Sequence, residues 1–377
     1  MKYLLLIGFA VGFLLGALLV PAIISLSFKK GFLDKPNERK IHHINVPRLG
    51  GTCFFPIAML VGAIMINVAH NVNIPEILKV FHYNGINILY GLVGALALFG
   101  FGLVDDLWGL RYRTKFIGQI VAGVLLFVGG TKLLNLQGVL FIHEMHWMVG
   151  LLITIFAIVF VTNAINFIDG IDGLASSICF FALAYFGFVF YRLGQYNSMA
   201  YGFAIVTVAS MGPLFAFMMY NIFGSAKRHT KTFMGDTGSM FLGFLICALG
   251  IALNTMLTES PMHDDVLPLL HDANPMAVAF GPILLPCLDV IRVVLVRRRQ
   301  GNNPFIADKN HIHHKFLSLG LGQHAVLAIV VLLTMVFAAL AIWLSKYLDV
   351  NLVLLSMAAL WTCINLIIKN KNQTKTK

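Results

Sequence analysis

Residues 1–30 read MKYLLLIGFAVGFLLGALLVPAIISLSFKK, and no charged side chain occurs between Lys2 and Lys29. That stretch is longer than the apolar core of a signal peptide and ends on the basic pair Lys29-Lys30, so it reads as an uncleaved first membrane span. Working outward with the same test, further apolar segments fall near 50–69, 85–104, 115–131, 148–165, 174–193, 199–220, 237–256, 275–296, 324–345 and 351–368. Each approaches the roughly 17–25 residues needed to cross hydrocarbon. Runs this long and continuous satisfy their backbone in lipid as helices. The fold class expected is an all-α polytopic membrane protein with about 11 transmembrane helices.

Composition agrees. Of 377 residues, 59% are apolar and 11% charged, with a mean hydropathy of +0.85, whereas a soluble domain is about 25% charged. So few charges cannot coat a globule of this length, which excludes a water-soluble protein. The net charge of +11 would suit nucleic acid, an anionic membrane surface or anionic substrates, and position along the chain decides among them. Alternating the spans places loops 29–49, 105–114, 166–173, 221–236 and 297–323 and the tail 369–377 on one side. With their flanks they carry 22 of the 27 Lys and Arg. The other face keeps Lys2, Lys79, Lys132, Arg192 and Lys346, and its loop 257–274 is acidic. The positive-inside rule makes the rich face cytoplasmic, with the N-terminus outside and the C-terminus inside. Basic charge is then explained by the bilayer, and no nucleic-acid partner is expected. The five cysteines are scattered in apolar runs without a CxxC or Cys/His partner, so neither disulfides nor zinc are indicated. No repeat or soluble module interrupts the chain, which reads as one membrane domain, 1–368, followed by a basic cytoplasmic tail, 369–377, acting as a disordered surface tether.

Acidic and amide residues at the ends of spans are expensive and therefore functional candidates. All fall on the basic face. Asp105-Asp106, in FGLVDDLWGL, closes the third span; adjacent carboxylates repel unless a cation or proton joins them, the bland alternative being a solvated helix end. NAINFIDGIDGLA sets Asn163, Asn166, Asp169 and Asp172 at i, i+3 spacing, so that on a helix they would share one face, with Gly170 and Gly173 able to bend the backbone inward. In KTFMGDTGSMFLG, Asp236 precedes an apolar span, where backbone N–H groups can meet an anion or where Asp236 or Thr237 can simply cap the helix. Asp289, one turn before Arg292, reads as a structural ion pair whose replacement should affect stability more than chemistry. DKNHIHHKFLSLGLG places His311, His313 and His314 behind Arg297, Arg298 and Arg299. Imidazoles there could ligate zinc or copper, but the basic surroundings favour phosphate. The first loop, DKPNERKIHHINVPRLGG, adds Arg39, Lys40, His42, His43 and Arg48, which the positive-inside signal alone would also explain.

Carboxylate and amide oxygens hold Mg²⁺, while Arg, Lys and His hold phosphates. Their convergence on one face suggests phosphoryl transfer from a diphosphate to an amphiphilic acceptor.

The five segments DKPNERKIHHINVPRLGG, DDLWG, NAINFIDGIDGLA, GDTGS and DKNHIHHKFLSLGLG, in this order from Asp34 through Gly322, resemble the polyprenyl-phosphate N-acetylhexosamine-1-phosphate transferases, the MraY/WecA superfamily. Each is weak alone, and together they are highly specific. The resemblance implies transfer of a sugar 1-phosphate from a UDP-N-acetylhexosamine, with UDP-GlcNAc favoured, to undecaprenyl phosphate, releasing UMP at the cytoplasmic face of a bacterial inner membrane. It implies that Asn166 and Asp236 hold Mg²⁺, with Mn²⁺ as an alternative ion. Asp105 and Asp106 would act in catalysis or engage the polyprenyl phosphate. Asp169 and Asp172 would shape the nucleotide side, and Arg39, Lys40, His42, Arg48, Asn163, Arg299, His311, His313 and His314 would bind substrate. The MraY branch carries a Lys soon after its aspartate pair and an HHH sequence; here Gly109 follows the pair and the sequence is HIHH. That departure favours the WecA-like branch over a UDP-MurNAc-pentapeptide donor and leaves GalNAc or a modified hexosamine open. A homodimer is compatible with the resemblance. A transporter would place its carboxylates near mid-membrane with repeat-related broken helices, and a lipid-binding scaffold would not need the Asn/Asp row.

Overall fold

In a computed structural model the described residues are 1–34, 45–259, 267–268, 270–301 and 310–375. The apolar runs form helices, in chain order α1 (Lys2–Lys30), α2 (Phe54–Asn71), α3 (Pro75–Trp108), α4 (Tyr112–Val128), α5 (Trp147–Ile168), α6 (Leu174–Leu193) and α7 (Ser198–Ile222). There follow α8 (Gly235–Glu259), α9 (Pro275–Phe280), α10 (Leu284–Arg299), α11 (Ile312–Ser318), α12 (Gln323–Leu344) and α13 (Val350–Lys375). A two-residue antiparallel pair, β1 (Leu33–Asp34) with β2 (Val46–Pro47), closes the first loop.

Among the described residues ten helical segments are long and apolar enough to cross a bilayer, α9 and α10 joining through a short 3-10 turn into one of them. The segment expected at 115–131 is α4, which is helical but only 17 residues long. The tail expected to be irregular instead continues α13 through Lys375, since its Lys, Asn, Gln and Thr residues include no Gly or Pro to stop a helix.

The most deeply buried helix is α8, and its sequence explains why. From Met240 to Leu253 it is apolar all the way round, so every face seeks a neighbour. It packs against α3, α5, α6 and α9, whereas the outer helices α1 and α13 leave large apolar side chains such as Leu18 and Leu355 exposed, as lipid-facing surfaces do. One contact fixes the registry of the centre. A Cβ placed on Gly102 of α3 would lie 2.6 Å from Thr237 Cα, so glycine is what lets α3 lie directly against the first turn of α8.

Because the helices alternate in direction, one end of the bundle gathers the last turns of α3, α5 and α10 and the first turns of α4, α6 and α8. Cross-links prove the assembly: Lys115 at the start of α4 meets Asp105 at the end of α3, and Asn221 at the end of α7 accepts from Gly173 N at the start of α6 at 2.6 Å. Gly109, at φ 76°, turns the chain between α3 and α4.

Candidate active site

Asp106 occupies the N-terminus of α8. One carboxylate oxygen accepts from Asp236 N at 2.9 Å, and the other accepts from Thr237 N at 2.8 Å and Thr237 Oγ1 at 2.5 Å. A helix start leaves its first N–H groups without intrahelical partners, and the carboxylate also complements the positive end of the helix dipole. The cap of α8 is therefore supplied by α3, not by Asp236 or Thr237 themselves. Gly235, at φ 71°, is held against Asp106, and a Cβ there would lie 2.6 Å from Asp106 Oδ2.

With capping done from outside, the Asp236 carboxylate is free to turn away from its own helix. Asp236 takes Lys115 Nζ at 2.9 Å and the Asn166 side-chain amide, which also donates to Ser239 Oγ at 2.9 Å. The neighbouring Asp105 binds the same ammonium at 2.7 Å and accepts from Leu110 N at 2.6 Å. Lys115 thus sets a positive charge beside Asp105, while Asp106 is met by the N–H groups of α8; the sequence reading counted Lys115 only as a loop charge. Nothing local separates it from Arg111 and Arg113; the turn at Gly109 alone folds it back onto Asp105. Oxygens of Asp105, Asp106 and Asp236 lie within 4.8 Å of one another.

The Asn163-to-Asp172 row does not stay on one helical face, because α5 ends at Ile168 and Asp169 is its C-cap. Asn163 donates to Gln119 of α4 at 2.8 Å and to the Val159 carbonyl, and Asn166 reaches Asp236. Asp172, beyond the helix, pairs with Lys231 at 2.5 Å, a second partner that spacing did not reveal. Asp169 donates its N–H to the Asn166 carbonyl at 3.4 Å, but its carboxylate has no hydrogen bond or ion pair among the described residues. Burial, with Asp236, Asp172 and Asp106 adding their negative charge, raises its carboxyl to about 7.

The histidines close the same end. His313 is buried, its ring packed on Gly170 and stacked parallel to His311 at 5.9 Å; both its nitrogens lack partners among the described residues. Burial, with His314 and His311 beside it, pushes His313 down to about 3. His314 touches it, with ring centroids 4.3 Å apart. Arg48 is half-buried behind Gly235, its Nε buried without a partner among the described residues. Arg299, by contrast, is exposed on the last turn of α10. Arg39, Lys40, His42 and His43 lie outside the described residues.

Oxygen donors clustered around cations, at the buried mouth of a membrane bundle, are the pattern expected for holding phosphate esters. Residues 88–254, which span the two aspartates, the Asn/Asp row and Asp236, match the family model described as Glycosyl transferase family 4. Decaprenyl-phosphate N-acetylglucosaminephosphotransferase of Mycobacterium tuberculosis (strain CDC 1551) is 30% identical over 318 residues, 81% of this chain and 74% of that protein. The chain belongs to the MraY/WecA family of polyprenyl-phosphate N-acetylhexosamine-1-phosphate transferases. Two further family members extend the match. The probable undecaprenyl-phosphate N-acetylglucosaminyl 1-phosphate transferase of Bacillus subtilis is 28% identical over 90% of this chain and 87% of its own length. Undecaprenyl-phosphate alpha-N-acetylglucosaminyl 1-phosphate transferase of Escherichia coli K12 is 26% identical over 85% and 78%. The family match therefore runs beyond the profile to include the N-terminal helices or the histidine segment.

Proposed function

We propose that this protein transfers N-acetylglucosamine 1-phosphate from UDP-GlcNAc to undecaprenyl phosphate, releasing UMP and leaving a lipid-linked diphosphate sugar for surface polysaccharide synthesis. The observation that carries the proposal is the contact of Asp105, Asp106, Asp236, Asn166 and Lys115 at one end of the bundle, in a chain whose relatives are named as N-acetylglucosamine phosphate transferases acting on decaprenyl or undecaprenyl phosphate.

The donor set suits Mg²⁺, or Mn²⁺, because it is built from carboxylate and amide oxygens with no sulfur or imidazole among them. Asp236 and Asn166 would hold the ion, with Asp105 beside them, because Asp106 is needed to cap α8 whereas the Asp236 oxygens meet only the Lys115 ammonium and the Asn166 amide, side chains that can shift for a cation. A bound ion would neutralise diphosphate charge. Asp105 orients the acceptor phosphate. Strong base catalysis is unnecessary, because a phosphate monoester with a second pKa of about 6 is largely ionised at neutral pH. Lys115, tethered to Asp105 and Asp236, adds positive charge where the phosphates meet. Arg48, His311, His313, His314 and Arg299 bind the diphosphate side, while Asn163, Asp169 and Asp172 shape the nucleotide side. Rate enhancement then comes from positioning and charge neutralisation more than from a covalent aspartyl intermediate.

We further read α4 as the eleventh span. At about 1.5 Å per residue its 17 residues cover roughly 25 Å, close to the hydrocarbon thickness. Eleven spans with the basic face inside put the N-terminus outside and the site on the cytoplasmic face of the inner membrane. Residues 1–368 form one membrane domain, and a homodimer is compatible with it.

The test is UMP release by purified protein given undecaprenyl phosphate, Mg²⁺ and a panel of UDP-amino sugars, with EDTA as control. Turnover of UDP-GlcNAc that EDTA stops is the expected result. Preference for another hexosamine would correct the donor, and no UMP from any donor by folded protein would overturn the reading.

A further inference from the structure

The spacing of Asp289 and Arg292 on α10 predicts an ion pair, and that pair forms at 2.8 Å. It is only half of the arrangement. The second carboxylate oxygen of Asp289 lies 2.8 Å from Nδ1 of His311 and also accepts weakly from Ile312 N at 3.4 Å. Arg292 in turn donates to the carbonyl of Asn310 at 2.6 Å, so the two α10 side chains grip the backbone and the ring at the start of α11 together. Asp289 and His311 are both buried.

On its other side His311 faces the end of α5. Its ring lies 6.0 Å from that of Phe167 and parallel to His313, which rests on Gly170. His311 thus stands between a buried carboxylate and the helix end that carries Asn166 and Asp169. Nδ1 is taken, and Nε2 has no partner among the described residues. An i, i+3 ion pair needs no histidine to be complete. A carboxylate on Nδ1 does, however, fix a ring's tautomer and orientation, leaving the other nitrogen for a ligand.

We propose that Asp289 is a positioning residue, which by binding Nδ1 of His311 directs Nε2 toward the phosphates of the substrate. The inference rests on the transferase reading above. When an anion is bound, each ring N–H then has an acceptor, Asp289 on one side and phosphate on the other. In Asp289→Asn the neutral amide offers Nδ1 either an N–H or a C=O and carries no charge to support a ring protonated on both nitrogens, so the ring loses its single orientation at nearly unchanged volume.

Two measurements test this. In a double-mutant cycle on UMP release, D289N should lower kcat about 10²-fold, the scale of losing one oriented donor to transition-state charge. In a His311→Ala background D289N should change kcat by no more than about 2-fold, since residues acting as a unit are not additive. D289E should recover part of the loss, and R292Q should cost less than D289N. Full multiplication of the two losses, or near-normal turnover in D289N, would overturn the proposal. Independently of activity, ¹⁵N spectra of histidine-labelled wild-type protein should show His311 protonated at Nδ1. An Nε2-only tautomer would overturn it even if D289N failed to fold. Wild-type protein that releases no UMP would refute the transferase reading, while the spectrum would still decide what Asp289 does to the ring.

Discussion

Asp105 and Asp106 are adjacent and chemically identical, yet their surroundings predict different consequences of removal. Asp106→Ala strips the cap from α8. Losing a cap costs about 0.5–2 kcal/mol, and the buried Thr237 N–H, left without an acceptor, adds about 1–3 kcal/mol. Relief of repulsion from Asp236 offsets part of this, so a net loss of about 2–4 kcal/mol follows. Asp105→Ala removes one partner of a lysine that keeps Asp236, and leaves Leu110 N at a turn near the helix end. Asp105 is buried as well, but its ammonium partner is about a quarter exposed and keeps Asp236, so the cost should be about 1 kcal/mol, below that of Asp106→Ala. Both variants should lose transfer, but only Asp106→Ala should unfold several degrees early when thermal unfolding of the detergent-purified protein is followed by tryptophan fluorescence. Equal midpoints for the two variants would refute the division of labour between them.

Asp236→Ala and Asn166→Ala should each abolish UMP release while the protein still folds into the membrane; near-normal turnover in either would remove it from the cation site. Gly102→Ala should cost about 1–3 kcal/mol through overpacking and displace the first turn of α8, so turnover should fall even though the residue touches no substrate; unaltered turnover would count against the registry argument. His313 is held near 3 while an unfolded histidine titrates at about 6.5. Between those values the unfolded chain binds the extra proton, so stability falls as pH drops from about 6.5 toward 3. His313→Gln should flatten that fall by one proton, read as the slope of unfolding free energy against pH, and an unchanged slope would place another group in control. Lys231→Met should impair turnover much as Asp172→Asn does, with the double variant no worse than either; additive losses would show that the pair does not act as a unit.

Much of this protein is legible in one dimension because lipid imposes a one-dimensional rule. A backbone without water must close its own hydrogen bonds, so an uncharged run such as 3–28 is a helix whatever surrounds it. Charge bias among the loops indicates which span ends belong together. Residue type restricts the chemistry further: Asp105, Asp106, Asn166, Asp169 and Asp236 at span ends are too expensive to be incidental.

Partnership is what spacing alone does not contain. The i, i+3 row from Asn163 to Asp172 looks like one helical face, yet α5 ends inside it, and its members turn to Gln119, Asp236 and Lys231 on three different elements. Lys115 resembles any basic loop residue until Gly109 folds α4 back along α3. Asp106 resembles Asp105 until Gly102 lets α3 lie against the first turn of α8, and Asp289 resembles a simple ion pair until α11 returns His311 to it. Hydropathy, charge and residue type act locally and so can be read from the chain. Helix registry depends on side-chain volumes meeting across long sequence separations, and only the packed tertiary structure decides which carboxylate caps a helix, which holds a cation and which aims a histidine.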